Sequence, residues 1–350
     1  MHNPMNTITS TRIVTATVGE YFSSGRNNFH WLRLFAALMV IYGHSYAITK
    51  EAGGDLFLRL VRYRFAGGIA VEIFFLISGF LITASMTRSS LAHYLWARFL
   101  RIFPALAVCI VLSTFVLGPL LSTDPDYWRE TGTWRYLYNN TLLFATEYWL
   151  PGVFQQLPDK AINGALWSLI LEVRLYLVVA GLSLAGLLSR RFFNTFVITS
   201  FVVAYFAVPQ IAVLDRYSAW VSCTAFFAAG SFVWINRDEI RLTTMGVVIV
   251  LLLAAALHHS EHFFVAYFVA LTYLTFYLAF VPDIPRIGKR DLSYGVYLYG
   301  WPVQQCVLLS IPGSGAITNT LIASAACLLL ACASWEWIER PCLNLKSLVR

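Results

Sequence analysis

Two ionisable side chains interrupt an otherwise apolar stretch, WLRLFAALMVIYGHSY, which runs from Trp31 to Tyr46. They are Arg33 and His44, eleven residues apart. On an α-helix that spacing is just over three turns, so both project from nearly the same face with about 16 Å between them. Ionisable groups inside a membrane-length helix are costly and mark functional pathways by default. Taken singly, Arg33 is also an end-anchor snorkelling to the interface and His44 a buried, hydrogen-bonded histidine. The aligned pair points instead to a cation at one end of a helix and a general base at the other.

Further candidates follow the same logic. Glu72, in AVEIFFLISGF (70–80), and Glu172, in LWSLILEVRLY (166–176), each sit a few residues inside an apolar run. Depth counting at about 1.5 Å per residue puts His44, Glu72 and Glu172 within about 6 to 11 Å of one membrane surface. A carboxylate at the depth of a histidine can hold its tautomer and stabilise the imidazolium. Glu172 equally suits structural pairing with Arg174 or Arg216. At the opposite side, Arg98 and Arg101 in ARFLRIFPA (97–105) are i, i+3 and share a helix face. Arginine forks bind phosphates bidentately, although both residues also suit ordinary positive-inside anchors. Cations at Arg33, Arg98 and Arg101 with a histidine one helix-length away fit a long ligand such as coenzyme A. Its phosphates lie at one end and its thioester at the end of an extended arm.

The elements that position these residues are membrane helices. The 350 residues are 58% hydrophobic and 12% charged, against roughly 25% charged in soluble domains. Ten apolar spans are expected, at 30–49, 68–86, 102–122, 165–188, 195–214, 219–236, 243–257, 263–281, 292–311 and 318–338. This predicts an all-α integral membrane protein with about ten transmembrane helices in one bundle. With both termini inside, inner segments hold fifteen Lys and Arg and outer segments eight, so both termini are expected to be cytoplasmic. The net charge of +7 therefore reads as topology and argues against nucleic acid as a partner. Residues 1–28 are polar and are expected to form a flexible cytoplasmic tail, and 343–350 a short second one, around a membrane domain at 29–342. The aromatic-rich segment 123–164 contains a part, 140–154, too short and polar to span, which predicts an interfacial or re-entrant segment. Pro302 breaks the helix around Gly300 and frees backbone groups.

The six cysteines are scattered without paired metal-ligand spacing. The cluster His258-His259-Ser260-Glu261-His262 has no second cluster to complete a tetrahedral site, so no metal is expected. Walker, Rossmann and nucleophile-elbow signatures are not found.

In this order along the chain, Arg33-x10-His44, AVEIFFLISGF, Arg98-x-x-Arg101 with Ile-Phe-Pro, LWSLILEVRLY, SYGVYLYGWP (293–302) and the closing IERP (338–341) resemble the membrane-bound acyltransferase-3 family over residues 29–342. The resemblance implies a stand-alone membrane domain of a bacterial cytoplasmic membrane. Such an enzyme moves an acyl group, usually acetyl, from cytoplasmic acyl-CoA to a hydroxyl of an extracytoplasmic or lipid-linked glycan. It implies essential roles for Arg33 and His44 and matches the Arg98/Arg101 and Glu172 motifs. The expected site is His44, Glu172 and Glu72 for catalysis and Arg33, Arg98 and Arg101 for the donor, acetyl-CoA. Two positions depart from the family: Gly300 stands where a histidine is common, and Glu72 replaces an aspartate. The rival from another class is a non-catalytic transporter or flippase of glycolipid or acyl intermediates, against which stands the lack of any internal repeat.

Overall fold

The computed structural model describes residues 16–207, 218–285 and 290–349, and among them all regular structure is helical apart from one isolated bridge between Thr17 and Arg241. The helices are α1 (Val18–Ser23), α2 (Phe29–Thr49), α3 (Leu56–Val61), α4 (Ala66–Met86) and α5 (Leu91–Leu112). A π-turn (Ser113–Leu117) leads into α6 (Gly118–Leu121), followed by α7 (Thr131–Thr141), α8 (Trp167–Leu184) and α9 (Arg190–Ala207). The chain continues through α10 (Ser218–Ile235), α11 (Thr244–Ala256), α12 (Phe263–Phe280), α13 (Ser293–Ser310) and α14 (Ala316–Ser334). A second π-turn (Trp335–Glu339), α15 (Arg340–Asn344) and a 3₁₀ turn (Leu345–Leu348) close it.

Six helical stretches are long and apolar enough to cross a membrane, beginning at Phe29, Ala66, Leu91, Trp167, Phe263 and Ala316. Every expected span contains a helix, but α11, at 13 residues, is shorter than a full crossing, α13 is too polar to qualify, and residues 208–214 of the expected span 195–214 lie outside the described residues. The reason in α13 is position. Nearly all its residues from Ser293 to Leu308 are buried, so its tyrosines and glutamines meet protein instead of lipid. A helix lined by partners needs no apolar composition. In the N-terminal stretch read as a tail, α1 carries a capping box between Thr17 and Glu20 and buries Val18.

The core is a packet of α2, α4, α13 and α14, with α10 laid along α4. Close approach is possible because glycines face the contacts. A Cβ on Gly79 would lie 1.9 Å from the Phe227 carbonyl oxygen, and one on Gly230 would lie 2.0 Å from that of Leu76. At Gly43 it would lie 2.4 Å from the Gly67 nitrogen, which brings the His44 end of α2 against the first turn of α4.

Two local departures from the expected spans reposition site residues. The third helix starts eleven residues before 102, at Leu91, with the Ser90 hydroxyl accepting from the His93 amide. Arg98 and Arg101 therefore lie well inside α5, on the helix that their i, i+3 spacing implies. The chain between α7 and α8 turns back into the bundle, and its deepest part is 159–166, beyond the expected 140–154. There Trp301 Nε1 and Gln305 Nε2 donate to the Ala161 carbonyl at 3.0 and 2.9 Å. Pro302 has no N–H to give the Leu298 carbonyl, and Asn163 Nδ2 takes that place at 2.9 Å.

Candidate active site

Asp291, just before α13, organises the Arg33 end of the bundle. Its Oδ2 accepts from Arg33 Nη1 at 2.9 Å and from Arg101 Nη2 at 2.7 Å. Its Oδ1 accepts from the Ser293 hydroxyl at 2.6 Å. Glu339, in the second π-turn, approaches Arg101 Nη1 at 3.5 Å and accepts from Ser334. Both carboxylates are buried, at 6% and 2% exposure, so two cations and two anions compensate each other in a region of low dielectric. Burial would raise the Asp291 carboxyl, but Arg101 and Arg33 outweigh it and hold the group well below the ordinary carboxylate range.

Arg33 and Arg101 thus meet as the sequence suggests, on an anion that the sequence reading passed over. Arg98, one turn earlier on α5, stays outside this network. No hydrogen bond or ion pair joins it to any described residue, and its Nε is buried without a partner.

Glu172 belongs to the Arg33 end. A cavity of about 40 Å³ is lined by Arg33, Ser78, Ser168, Glu172, Ser293 and Tyr297, enough for a water or two. Glu172 Oε1 accepts from the Ser78 hydroxyl at 2.6 Å and the Tyr176 hydroxyl at 2.5 Å. Equal depth with His44, inferred by counting from the start of α8, does not hold for Glu172. The in-turned segment starts α8 within the bundle, where Ser168 Oγ meets Tyr297 Oη at 2.5 Å, one turn into α13. Glu172 is a further turn on, beside Arg33.

Glu72 makes a different knot. Its Oε1 accepts from Arg64 Nε at 3.1 Å and Ser222 Oγ at 2.8 Å, and its Oε2 accepts from the Tyr267 hydroxyl. It joins α4 to α10, α12 and the loop before α4. Its link to His44 is indirect: Arg64 precedes Phe65, the N-cap of α4, whose ring lies 6.3 Å from the His44 ring.

His44 itself is half-buried between aromatic rings. Trp301 meets it edge-on at 4.7 Å, and the Trp301 indole is fixed by Ala161 on the in-turned segment. Neither Glu72 nor Glu172 bonds the imidazole, and no described residue does. Both ring nitrogens remain available to a ligand. Gly300 faces Ile41, whose Cγ1 would lie 3.3 Å from an added Cβ. Among the described residues no group of three or more His, Cys, Asp or Glu side chains is placed to hold a metal ion.

Of the residues that shape the site, sequence reasoning missed Asp291, Glu339, Asn163, Trp301 and Phe65. Asp291 opens the same run as SYGVYLYGWP. A buried arginine pair demands a carboxylate, and that demand was the signal available for it.

A family model described as "Acyltransferase domain", acyltransferase-3, matches residues 26–336. A Shigella phage Sf6 protein named "O-acetyl transferase" is 29% identical over 334 residues, covering 92% of this chain and 97% of its own. "Nodulation protein 10" of Rhizobium leguminosarum bv. viciae is 28% identical over 366 residues, covering 94% and 96%. No solved structure matches significantly. With a family model that matches residues 26–336, most of its length, this chain belongs to the acyltransferase-3 family.

Proposed function

We propose that the protein is a membrane O-acyltransferase that takes an acyl group, acetyl by preference, from acyl-CoA and transfers it to a hydroxyl of an extracytoplasmic or lipid-linked glycan. The single observation that carries this reading is the split along α2. A compensated cation cluster closes one end, and an imidazole with no protein hydrogen bond lies at the other, in a chain of the acyltransferase-3 family. The names of its two relatives, an O-acetyl transferase and a nodulation protein, are consistent with that transfer.

In this account the Arg33 end faces the cytoplasm of a bacterial cell, in the inner membrane. The donor's phosphates bind there. A guanidinium has five N–H donors. Arg33 spends one on Asp291, and Arg101 spends two on Asp291 and Glu339, which leaves donors for phosphate oxygens. The pantetheine arm follows α2 for about 16 Å to His44. There an imidazole nitrogen accepts the proton of the acceptor hydroxyl as its oxygen attacks the thioester carbonyl. The tetrahedral intermediate collapses with loss of the CoA thiolate, and the imidazolium returns its proton to that sulfur. Such proton transfer contributes roughly 10²–10⁴-fold. Trp301 and Phe65 orient the ring by contact. Glu72 acts at one remove through Arg64 and Phe65, and Glu172 positions the Arg33 side of the path. Both carboxylates are positioning groups on this reading.

The test is transfer of label. Protein in detergent would be incubated with acetyl-labelled coenzyme and a crude lipid-linked glycan extract, and the glycan fraction analysed by mass spectrometry. Acetyl ester on the glycan is the expected product. Labelled coenzyme left intact beside a verified supply of acceptors would overturn the reading.

A further inference from the structure

Three acidic side chains around the Arg33 end are committed to cations. Asp291 serves Arg33 and Arg101, Glu339 serves Arg101, and Glu336 serves Arg290 and Arg340. Two half-buried cations beside this network have no such partner among the described residues. Arg98 is one. The other is Lys346, in the 3₁₀ turn beyond α15, outside the stretch matched by the family model. The tail that carries it is fixed onto the start of α5. Trp96 Nε1 donates to the Leu345 carbonyl at 3.0 Å, and a His93 ring nitrogen lies 2.7 Å from the Val349 carbonyl oxygen. This brings the Lys346 ammonium within electrostatic reach of Arg98 and Arg101. Lys346 and Arg98 are both half-buried, and neither has a hydrogen bond or ion pair to a described residue.

Holding like charges together away from bulk water is unfavourable unless an anion is present. A fold that straps a tail down to bring a lysine beside an unpaired arginine is therefore arranged for a ligand. Arg98 is one turn farther along α5 from Arg101, and Lys346 comes from beyond the bundle's helices. The pair is thus remote from His44 and suits the most distal phosphate of an extended donor. A phosphate monoester carries about −1.5 to −2 charges near neutral pH, a match for two uncompensated cations. We propose that Arg98 and Lys346 form a subsite for the phosphate monoester at the nucleotide end of the donor coenzyme. This rests on the acyl-CoA reading above and adds to it a residue and a phosphate.

The same phosphate chemistry is presented by an anionic lipid headgroup, and the experiment separates the two. The full-length protein would be placed in nanodiscs of phosphatidylcholine. Coenzyme A and its 3′-dephospho form would be titrated calorimetrically into wild type, Lys346→Ala and Lys346→Arg. A charge-assisted contact predicts that wild type prefers the phosphorylated form by roughly tenfold or more. Lys346→Ala should lose most of that preference while binding the dephospho form as wild type does, and Lys346→Arg should keep part of it. Equal loss for both ligands, or an unchanged preference, would overturn the subsite. So would a Lys346→Ala effect that appears only as lost retention of phosphatidylglycerol, which would assign the phosphate to lipid. Binding is read without turnover, so the two claims fail separately. Monoester discrimination in a protein that transfers no label would sink the transfer reading alone. Transfer without discrimination would sink the subsite alone.

Discussion

The two ends of α2 each place one ionisable residue in the bundle, and the surroundings treat them in opposite ways. At Arg33 the structure supplies a counter-ion within 2.9 Å, a second arginine on the same oxygen, and a second carboxylate behind it. At His44 it supplies rings: Trp301 at 4.7 Å and Phe65 at 6.3 Å, with no hydrogen-bond partner for either nitrogen among the described residues. The first arrangement spends polar groups on each other and gains rigidity. The second fixes the orientation of an imidazole by contact and leaves its chemistry to whatever enters. Stability and reactivity are therefore segregated along one helix, and substitutions at the two ends should separate them.

The largest stability effect should come from the paired end. Asp291→Asn removes the anion between Arg33 and Arg101, and breaking a buried pair in this way typically costs about 3–5 kcal/mol. Thermal unfolding in detergent would register it as a clear fall in midpoint. The folded-state pKa of Asp291 is depressed. The stabilisation is thus fully present above the ordinary carboxylate pKa of about 4 and is lost only as pH falls through the lower folded value. The gap between wild type and Asp291→Asn should consequently not narrow when melts are repeated from pH 9 down to pH 5, and the His30 ring, 4.0 Å from Oδ2, can only widen it.

Two intermediate effects test how the reactive end is held. Gly43→Ala forces a methyl group to within 2.4 Å of the Gly67 nitrogen and 2.9 Å of the Phe65 ring. Overpacking of that kind costs about 1–3 kcal/mol, and the displaced Phe65 should lower turnover along with melting temperature. Asn163→Leu removes the donor to the Leu298 carbonyl that Pro302 leaves open. The buried carbonyl is then left with only the weak Cys109 thiol donor at 3.7 Å, and losing its amide partner costs about 1–3 kcal/mol. Tryptophan fluorescence should report a looser Trp301 in that variant.

The smallest stability effect should belong to the residue with the largest catalytic role. His44→Ala forfeits no hydrogen bond to a described residue and only one edge-on aromatic contact, worth about 0.5–1.5 kcal/mol. A melting temperature near that of wild type is the expected result. A collapse as deep as that of Asp291→Asn would erase the contrast between the two ends.

Much of this was legible in the residues. The spacing of Arg33 and His44 on one apolar helix, the shared face of Arg98 and Arg101 and the breaking role of Pro302 all follow from helical periodicity. The family motifs point to the same helices. Depth was the quantity that failed to transfer. Counting from a helix start presumes that the start lies at a membrane surface. The segment 159–166 enters the bundle to satisfy the Leu298 carbonyl and the Trp301 indole, and it carries the beginning of α8 down with it. Glu172 therefore joins Arg33. Partner choice was equally invisible, because Asp291 and Arg101 are 190 residues apart and only folding brings them together. Composition alone is a weak guide at α13 for a related reason: the helix is lined by protein, and its tyrosines and glutamines answer to that lining.

The measurement that tests the account most directly is the initial rate of CoA thiol release, with and without lipid-linked glycan acceptor, for wild type beside His44→Ala of verified fold. The account predicts acceptor-stimulated release by wild type and a loss of roughly 10²–10⁴-fold in the variant. Release by His44→Ala within a few-fold of wild type would contradict it.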